Sequence, residues 1–263
     1  MKNNTNERHK KERIGLKTIT TEGYEVQIIK YNSYIDIDIR FNDTNRCILK
    51  GRNYSSFKDG KIKNPYHRSI MGVGFIGQGK HRVSINSRLT NKYNMWYRMF
   101  ERCYGKKYQK KNPTYTGCRV CDEWHNFQNF GDWYDENFYN LDGFTMTLDK
   151  DIIKKGNKLY SPKRCIVAPS FINVIFVNNK GLRGRLPIGV TQRKRTGKFE
   201  AQCNCTTTGK KKYLGEYESI DGAFHAYKIY KESQIKEVAD HYKDKIPKKL
   251  YDAMYKWEIE ITD

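Results

Sequence analysis

The sequence predicts an α+β fold in three parts. These are a β-rich N-terminal domain over 15–89, a mixed central domain over 90–178 and, over 188–263, a three-stranded antiparallel sheet with a helix. Three patterns carry this expectation. Ile35, Ile37, Ile39 and Phe41 alternate with Asp36, Asp38 and Arg40, the period of a half-buried strand. Trp96, Met99, Phe100 and Cys103, and later Trp124, Phe127, Phe130 and Trp133, recur at helical spacing. Phe199, Ala201, Cys203 and Cys205 alternate with Lys198, Glu200, Gln202 and Asn204, which gives one apolar and one polar strand face.

Taken in order, residues 1–14 are polar and charged and read as a mobile basic arm. Residues 24–31 and 34–41 read as a hairpin turning at Asn32-Ser33. Asp36 and Asp38 then lie on the solvent face of a strand, a plainer reading than a catalytic carboxylate pair. The glycine-rich stretch 60–79 lacks the Lys-Ser/Thr of a phosphate loop, so it reads as turns of a small β domain. Thr90 can cap a helix over 90–106, and a second aromatic helix is expected over 122–134. Helical spacing makes these aromatics core residues before it makes them stacking platforms. Residues 145–177 read strand, loop, strand, helix, with Pro169-Ser170 opening the helix. Residues 179–187 form a basic linker. In the last part, Ala223, Ala226, Tyr227 and Tyr230 sit on one helix face that can pack on the apolar side of the sheet.

Composition narrows the function. Fifty Lys and Arg stand against 29 Asp and Glu, a net charge of +21, which points to a polyanionic partner, nucleic acid first. A large share falls between 180 and 213, where ten Lys/Arg face one acidic residue, and a smaller share in the N-terminal arm. No apolar run approaches the roughly 18 residues of a membrane span, and the polar N-terminus predicts no secretory leader. A cytoplasmic location and no membrane partner are therefore expected. Seven cysteines, an odd number, fit free thiols or metal ligands in a reducing compartment. Cys118 and Cys121 form a C-x2-C knuckle, with Cys103 upstream and Cys165 downstream. Together they could hold a structural zinc, with His125 replacing one thiolate, or two of them could be buried free thiols.

A longer constellation is more specific. It runs through Trp96, Met99, Arg102-Cys103-Tyr104, Val120-Cys121, Trp124, Phe127, Phe130, Trp133, Leu148-Asp149-Lys150, Gly156-Asn157, Tyr160-Ser161-Pro162, Cys165 and Asn173. Over about residues 91–178 it resembles the phage and mobile-element HNH endonucleases of ββα-metal fold. The resemblance implies a homing-type DNA endonuclease in which a divalent ion, Mg2+ or Mn2+, assists phosphodiester hydrolysis. It makes Asp149 and Asn173 the metal ligands and puts Lys150 where a general-base His is usual. Arg164 stands where a central Asn is usual, and Asn157 assists from the loop. Lysine is a poor base near neutral pH, so the proton acceptor would come from Asp151 or His125, or metal-bound water would ionise unaided, or the centre would be inactive.

The string Ile188-Gly189-Val190-Thr191, Arg193, Gly197-Lys198-Phe199-Glu200-Ala201, Tyr213-Leu214-Gly215-Glu216-Tyr217, Ala223, Ala226-Tyr227 resembles the plant ethylene-response-factor type DNA-binding domain. That resemblance implies a sheet placed in the major groove of double-stranded DNA. Arg193, Arg195, Lys198 and Lys212 are the expected phosphate or guanine contacts, and Gln202 and Asn204 carry amides suited to adenine. Thr191, Asn204 and Tyr213 depart from the family's usual Arg, Arg and Trp, so its target sequence does not transfer. Two alternatives stay open beside the nuclease, a non-cutting DNA-binding regulator and a factor that binds a host protein; among partners, a homodimer also stays open.

Overall fold

A computed structural model of the chain describes residues 2–176, 184–206 and 209–263. Helix and strand are both well represented, as an α+β chain requires. The chain forms two compact units. Unit 1 is Met1–Thr116 with Val120–Asp132, and unit 2 is Gly117–Arg119 with Trp133–Asp263. The division therefore runs through the segment 90–178. Its aromatic residues up to Phe130 belong to unit 1, and Trp133 with the strand–loop–strand–helix portion belongs to unit 2.

In unit 1, the stretch expected as a mobile arm is a helix, α1 (Lys2–Arg13). Its last residue explains the difference. Arg13 Nη1 donates to the Tyr31 hydroxyl at 2.7 Å, and its guanidinium lies 4.1 Å from the Tyr54 ring centroid and 5.2 Å from that of Tyr31. Such a cation–aromatic contact contributes about 0.5–2 kcal/mol. Strands β1 (Lys17–Ile19), β2 (Glu25–Ser33), β3 (Asp36–Phe41) and β4 (Ile48–Arg52) form an antiparallel meander in chain order. Ile37, Ile39 and Phe41 are fully buried against Val26 and Ile28, and Phe57 of α2 (Tyr54–Lys58) joins that core. Each such side chain is worth about 1.5–3 kcal/mol. The hairpin turns at Tyr34-Ile35 rather than Asn32-Ser33, and Ile35 is 71% exposed. Asp38 accepts the Gly51 amide at 3.1 Å and Asp36 accepts from Asn32, so both are spent on the sheet surface.

A short hairpin, β5 (Ser84–Ile85) and β6 (Arg88–Leu89), leads into α3 (Asn91–Tyr104) and α4 (Lys106–Lys111). Thr90 caps α3 as expected, accepting from Tyr93 N at 3.2 Å. Trp96, Met99, Phe100 and Cys103 are its buried face. The expected helix over 122–134 is interrupted. After β7 (Arg119–Val120), a 3-10 turn (Asp122–His125) precedes α5 (Phe127–Asn137). Phe75 causes the break: its amide donates to His125 O and its carbonyl accepts from Phe127 N, so Asn126 forms an isolated parallel bridge with it. Trp124, Phe127 and Phe130 are fully buried, and Trp96 Nε1 donates to Trp124 O at 2.8 Å. The aromatic helices make core and offer no open stacking platform.

In unit 2, β8 (Met146–Asp149) pairs antiparallel with β10 (Ile166–Pro169), and α6 (Ser170–Ile175) follows and packs on both. The loop between them holds β9 (Leu159–Tyr160), beside which Arg119 N donates to Lys158 O. Strands β11 (Val190–Gln192), β12 (Phe199–Asn204) and β13 (Lys211–Tyr217) form the expected antiparallel sheet in chain order. Its inner residues Ala201 and Cys203 are covered by α7 (Ile220–His241) through Ala223 and Tyr227, and α8 (Lys248–Tyr255) closes the unit. Gly189 has φ +77°, and a Cβ there would come within 2.0 Å of the Tyr227 ring, so only glycine fits beneath the helix. One continuous core runs from Ile166, Ala168 and Ile172 through Val190, Ala201 and Ala223 to Leu250 and Met254. The basic linker expected over 179–187 lies outside the described residues except at 184–187.

Candidate functional site

The β8–loop–β10–α6 segment gathers Asp149, Lys150, Asn157 and Arg164 around one turn. Asp149 ends β8, and its Oδ1 accepts the amides of Asp151 and Ile152, both at 2.7 Å. The carboxylate thus caps the turn that starts the loop. Burial pushes its pKa above the ordinary value, and the neighbouring Asp151 charge adds to the rise. The two amides and Lys150 pull the other way. Its Oδ2 holds no hydrogen bond among the described residues. Lys150 is buried, and its ammonium is paired with the Asp151 carboxylate.

Asn157 takes a larger part than the sequence reading assigned to it. It is 4% exposed, and its Nδ2 donates to Lys150 O at 3.0 Å and to Leu159 O at 2.7 Å. Its Oδ1 accepts from Leu159 N at 3.1 Å and from Arg164 Nη1 at 3.2 Å. Arg164, expected in the position of the central Asn, is instead a donor to it. The backbone-bracing role belongs to Asn157. The signal lay in the Gly156-Asn157 pair, since a buried Asn beside a left-handed glycine (φ +67°) can span a tight loop.

Asn173 lies on α6, half-buried, and its side chain holds no hydrogen bond among the described residues. His125, the alternative proton acceptor, belongs to unit 1. There it faces Val120 O at 3.3 Å and Asp122 at 3.7 Å. Of the four candidate zinc cysteines, Cys103, Cys118 and Cys165 are buried and Cys121 is half-buried. Cys103 and Cys121 belong to unit 1, and Cys118 and Cys165 to unit 2. Among the described residues, no three His, Cys, Asp or Glu side chains form a metal-holding group. Burial raises the Cys121 thiol pKa.

The C-terminal sheet presents a face opposite α7, and the expected contacts divide on it. Register places Thr191, Glu200, Gln202, Tyr213 and Glu216 on that outer face. Arg193 is ion-paired with Glu200 and lies 3.7 Å from Glu216, which raises its pKa. Lys198 is ion-paired with Glu218. Gln202 donates to Thr191 Oγ1 at 3.2 Å. Arg195 and Asn204 are exposed, and their side chains hold no hydrogen-bond or ion-pair partner among the described residues. Lys212 lies elsewhere than expected: it pairs with Cys203 in register and its ammonium lies 5.0 Å from the Tyr230 ring centroid. It therefore turns to the helix side and not to the outer face. The bulge at Ala201/Gln202 on β12 and β13 separates the two registers. The outer face is consequently less basic than the alternation alone suggests, because its glutamates neutralise part of it.

No helix among the described residues is long and apolar enough to cross a membrane. Comparison with protein-family models, curated proteins and solved structures gave no match.

Proposed function

We propose that this chain is a divalent-metal-dependent DNA endonuclease of ββα-metal type, held on duplex DNA by its C-terminal sheet. The observation that carries this reading is the β8–loop–β10–α6 segment, with Asp149 at the end of its first strand and Asn157 bracing the loop onto the Lys150 carbonyl just past that strand. The donor chemistry fits a hard cation. Asp149 Oδ2 and the Asn173 side chain are two oxygen donors without hydrogen-bond partners among the described residues, and Mg2+ and Mn2+ take oxygen. A carboxylate that burial makes costly to ionise is also one that a bound cation relieves. When bound, the ion supplies charge stabilisation at the scissile phosphate and its leaving oxygen. Lys150, buried and paired, screens Asp151 and is not poised as the base. The Asp151 carboxylate, with its side chain 41% exposed, is the nearer proton acceptor in unit 2. Arg195, in the turn between β11 and β12, and Asn204, at the end of β12, are the open contacts, and Arg193 is a contact held in reserve by Glu200.

Nicking of supercoiled plasmid by the purified chain with Mg2+ or Mn2+, lost in Asp149→Asn, is the test. The burial of Lys150 in the place of a catalytic His favours a second reading, a DNA-binding protein that does not cut. Salt-sensitive duplex binding by the wild type, with no nicking in any metal, would establish that second reading over the first.

A further inference from the structure

The charge has three addresses, and the one not yet described is as strong as the C-terminal one. Residues 80–111 hold ten Lys/Arg and one acidic residue, a net of +9. Residues 180–213 have the same net, and 1–14 carry +3, so the rest of the chain sums to zero. Each strong segment holds both engaged and open cations: Lys80, Lys92 and Arg102 are engaged by Asp132, His81 and Tyr115, and Arg185, Lys194, Arg195 and Lys211 are exposed without an ion-pair partner among the described residues. In the C-terminal segment Arg193, Lys198 and Lys212 are engaged by Glu200, Glu218 and Tyr230. In the other, Arg88, Arg98, Lys106, Lys107, Lys110 and Lys111 are all exposed and have no ion-pair partner among the described residues.

The placement costs the fold something. Helix α4 has no acidic residue in its first turn, and Lys106 and Lys107 face the positive end of its dipole. Lys106/Lys110, Lys107/Lys110 and Lys107/Lys111 are like-charge pairs at three- and four-residue spacing, each unfavourable by roughly 0.2–0.5 kcal/mol. The helix is pinned regardless. Gln109 donates to Cys103 O at 2.6 Å and to Arg102 O at 3.2 Å, so its lysines are held outward on a fixed base. At the other end of α3, Thr90 donates to Arg82 O and caps the helix, which ties the β5–β6 hairpin and Arg88 to the same rod. The 14 residues of α3 set these two clusters about 21 Å apart along its axis, with Arg98 between them.

We propose that this basic strip of unit 1 is a second docking surface, and that its partner is the phosphate backbone of duplex DNA. The inference deepens the proposed DNA-binding function and rests on it. A duplex presents a negative charge about every 1.7 Å of its axis, so cations strung along a rigid rod find partners at any register. Lysine ammoniums suit this, being point charges without the fork geometry of base recognition. Protein interface cores are depleted in lysine, so the strip does not have the composition of a protein-docking patch.

The test uses the full chain and a labelled duplex of mixed sequence, with affinity measured across a salt series by fluorescence anisotropy. Lys106→Gln, Lys107→Gln, Lys110→Gln and Lys111→Gln are combined in one variant, and Arg88→Gln with Arg98→Gln in a second. Thermal melting confirms that each folds. The expected result is a salt slope shallower by about 2 to 4 in the lysine variant and by about 1 to 2 in the arginine variant. An unchanged slope in both, with wild-type binding intact, overturns the second surface and leaves the DNA-binding function standing. No wild-type binding to duplex at low salt overturns both. Equal wild-type affinity for polyglutamate and for duplex overturns the assignment to DNA.

Discussion

Asn157 donates from its side-chain amide to the backbone carbonyl of Lys150, seven residues earlier, at 3.0 Å. It is the bond that folds the loop back onto the end of β8, where the Asp149 carboxylate starts the turn. Replacing Asn157 by Ala leaves the Lys150 and Leu159 carbonyls without this donor in a buried setting. An unsatisfied buried group costs about 1–3 kcal/mol, so chemical denaturation should show a loss of about 2–4 kcal/mol. Asn157→Asp, which keeps the acceptor and loses the donors, should lose a comparable amount.

Asp149 makes the opposite prediction, with activity and stability moving apart. Its folded-state pKa is raised by burial, so ionising it costs the native state more than the unfolded one. That cost is absent where both forms are protonated, and it grows as pH rises from the unfolded carboxylate value to the folded one. Asp149→Asn keeps an oxygen for the Asp151 and Ile152 amides and removes the cost. Denaturation midpoints should then fall less steeply from acid to neutral pH in the variant than in the wild type, while plasmid nicking is lost. A variant that melts well below the wild type at pH 7 would overturn the burial argument.

The Arg193–Glu200 pair on the outer sheet face competes with any phosphate for the same guanidinium. Glu200→Gln should release it. Duplex affinity is expected to rise severalfold at low salt, with the salt slope steeper by about 1. Because both partners are partly exposed, stability should change by less than about 1 kcal/mol. Isothermal titration across salt concentrations, with melting as the control, reads both.

Gly189→Ala places a methyl group within 2.0 Å of the Tyr227 ring at φ +77°. The left-handed backbone costs about 1–2 kcal/mol and the overpacking about 1–3 kcal/mol more. A loss of about 2–5 kcal/mol is expected, and Tyr227→Ala in the same chain should relieve part of it. Additive losses in the double variant would show that the two residues do not meet.

The elements legible in the sequence were those whose pattern is local. The alternation of Ile37, Ile39 and Phe41, the Thr90 cap with Trp96 and Met99 beneath it, and the Ala201/Cys203 face under Ala223 each state their own burial. What stayed hidden depended on residues distant in sequence. The break at Asn126 needs Phe75, fifty-one residues earlier, to bond the backbone on either side. The helix at the N-terminus needs Tyr31 and Tyr54 to receive Arg13. In the candidate site, Asp149 could be read from the sequence as the end of a strand. The exchange of roles between Arg164 and Asn157 could not, because it depends on which side chain the loop folds over. The neutralisation of Arg193 and Lys198 was equally illegible, since strand alternation states a face but not the register that sets Glu200 opposite Glu216.

The single core shared by α6 and the C-terminal sheet has a metric consequence. If the sheet reads the duplex and the β8–β10 segment breaks it, the span between them is set by packed side chains such as Ile172, Val190 and Ala201 and not by the length of a tether. Such a protein acts as a ruler, with one fixed offset from recognised bases to broken bond. Lengthening the segment between Ile175 and Ile188 would then add slack to the chain without moving the cut.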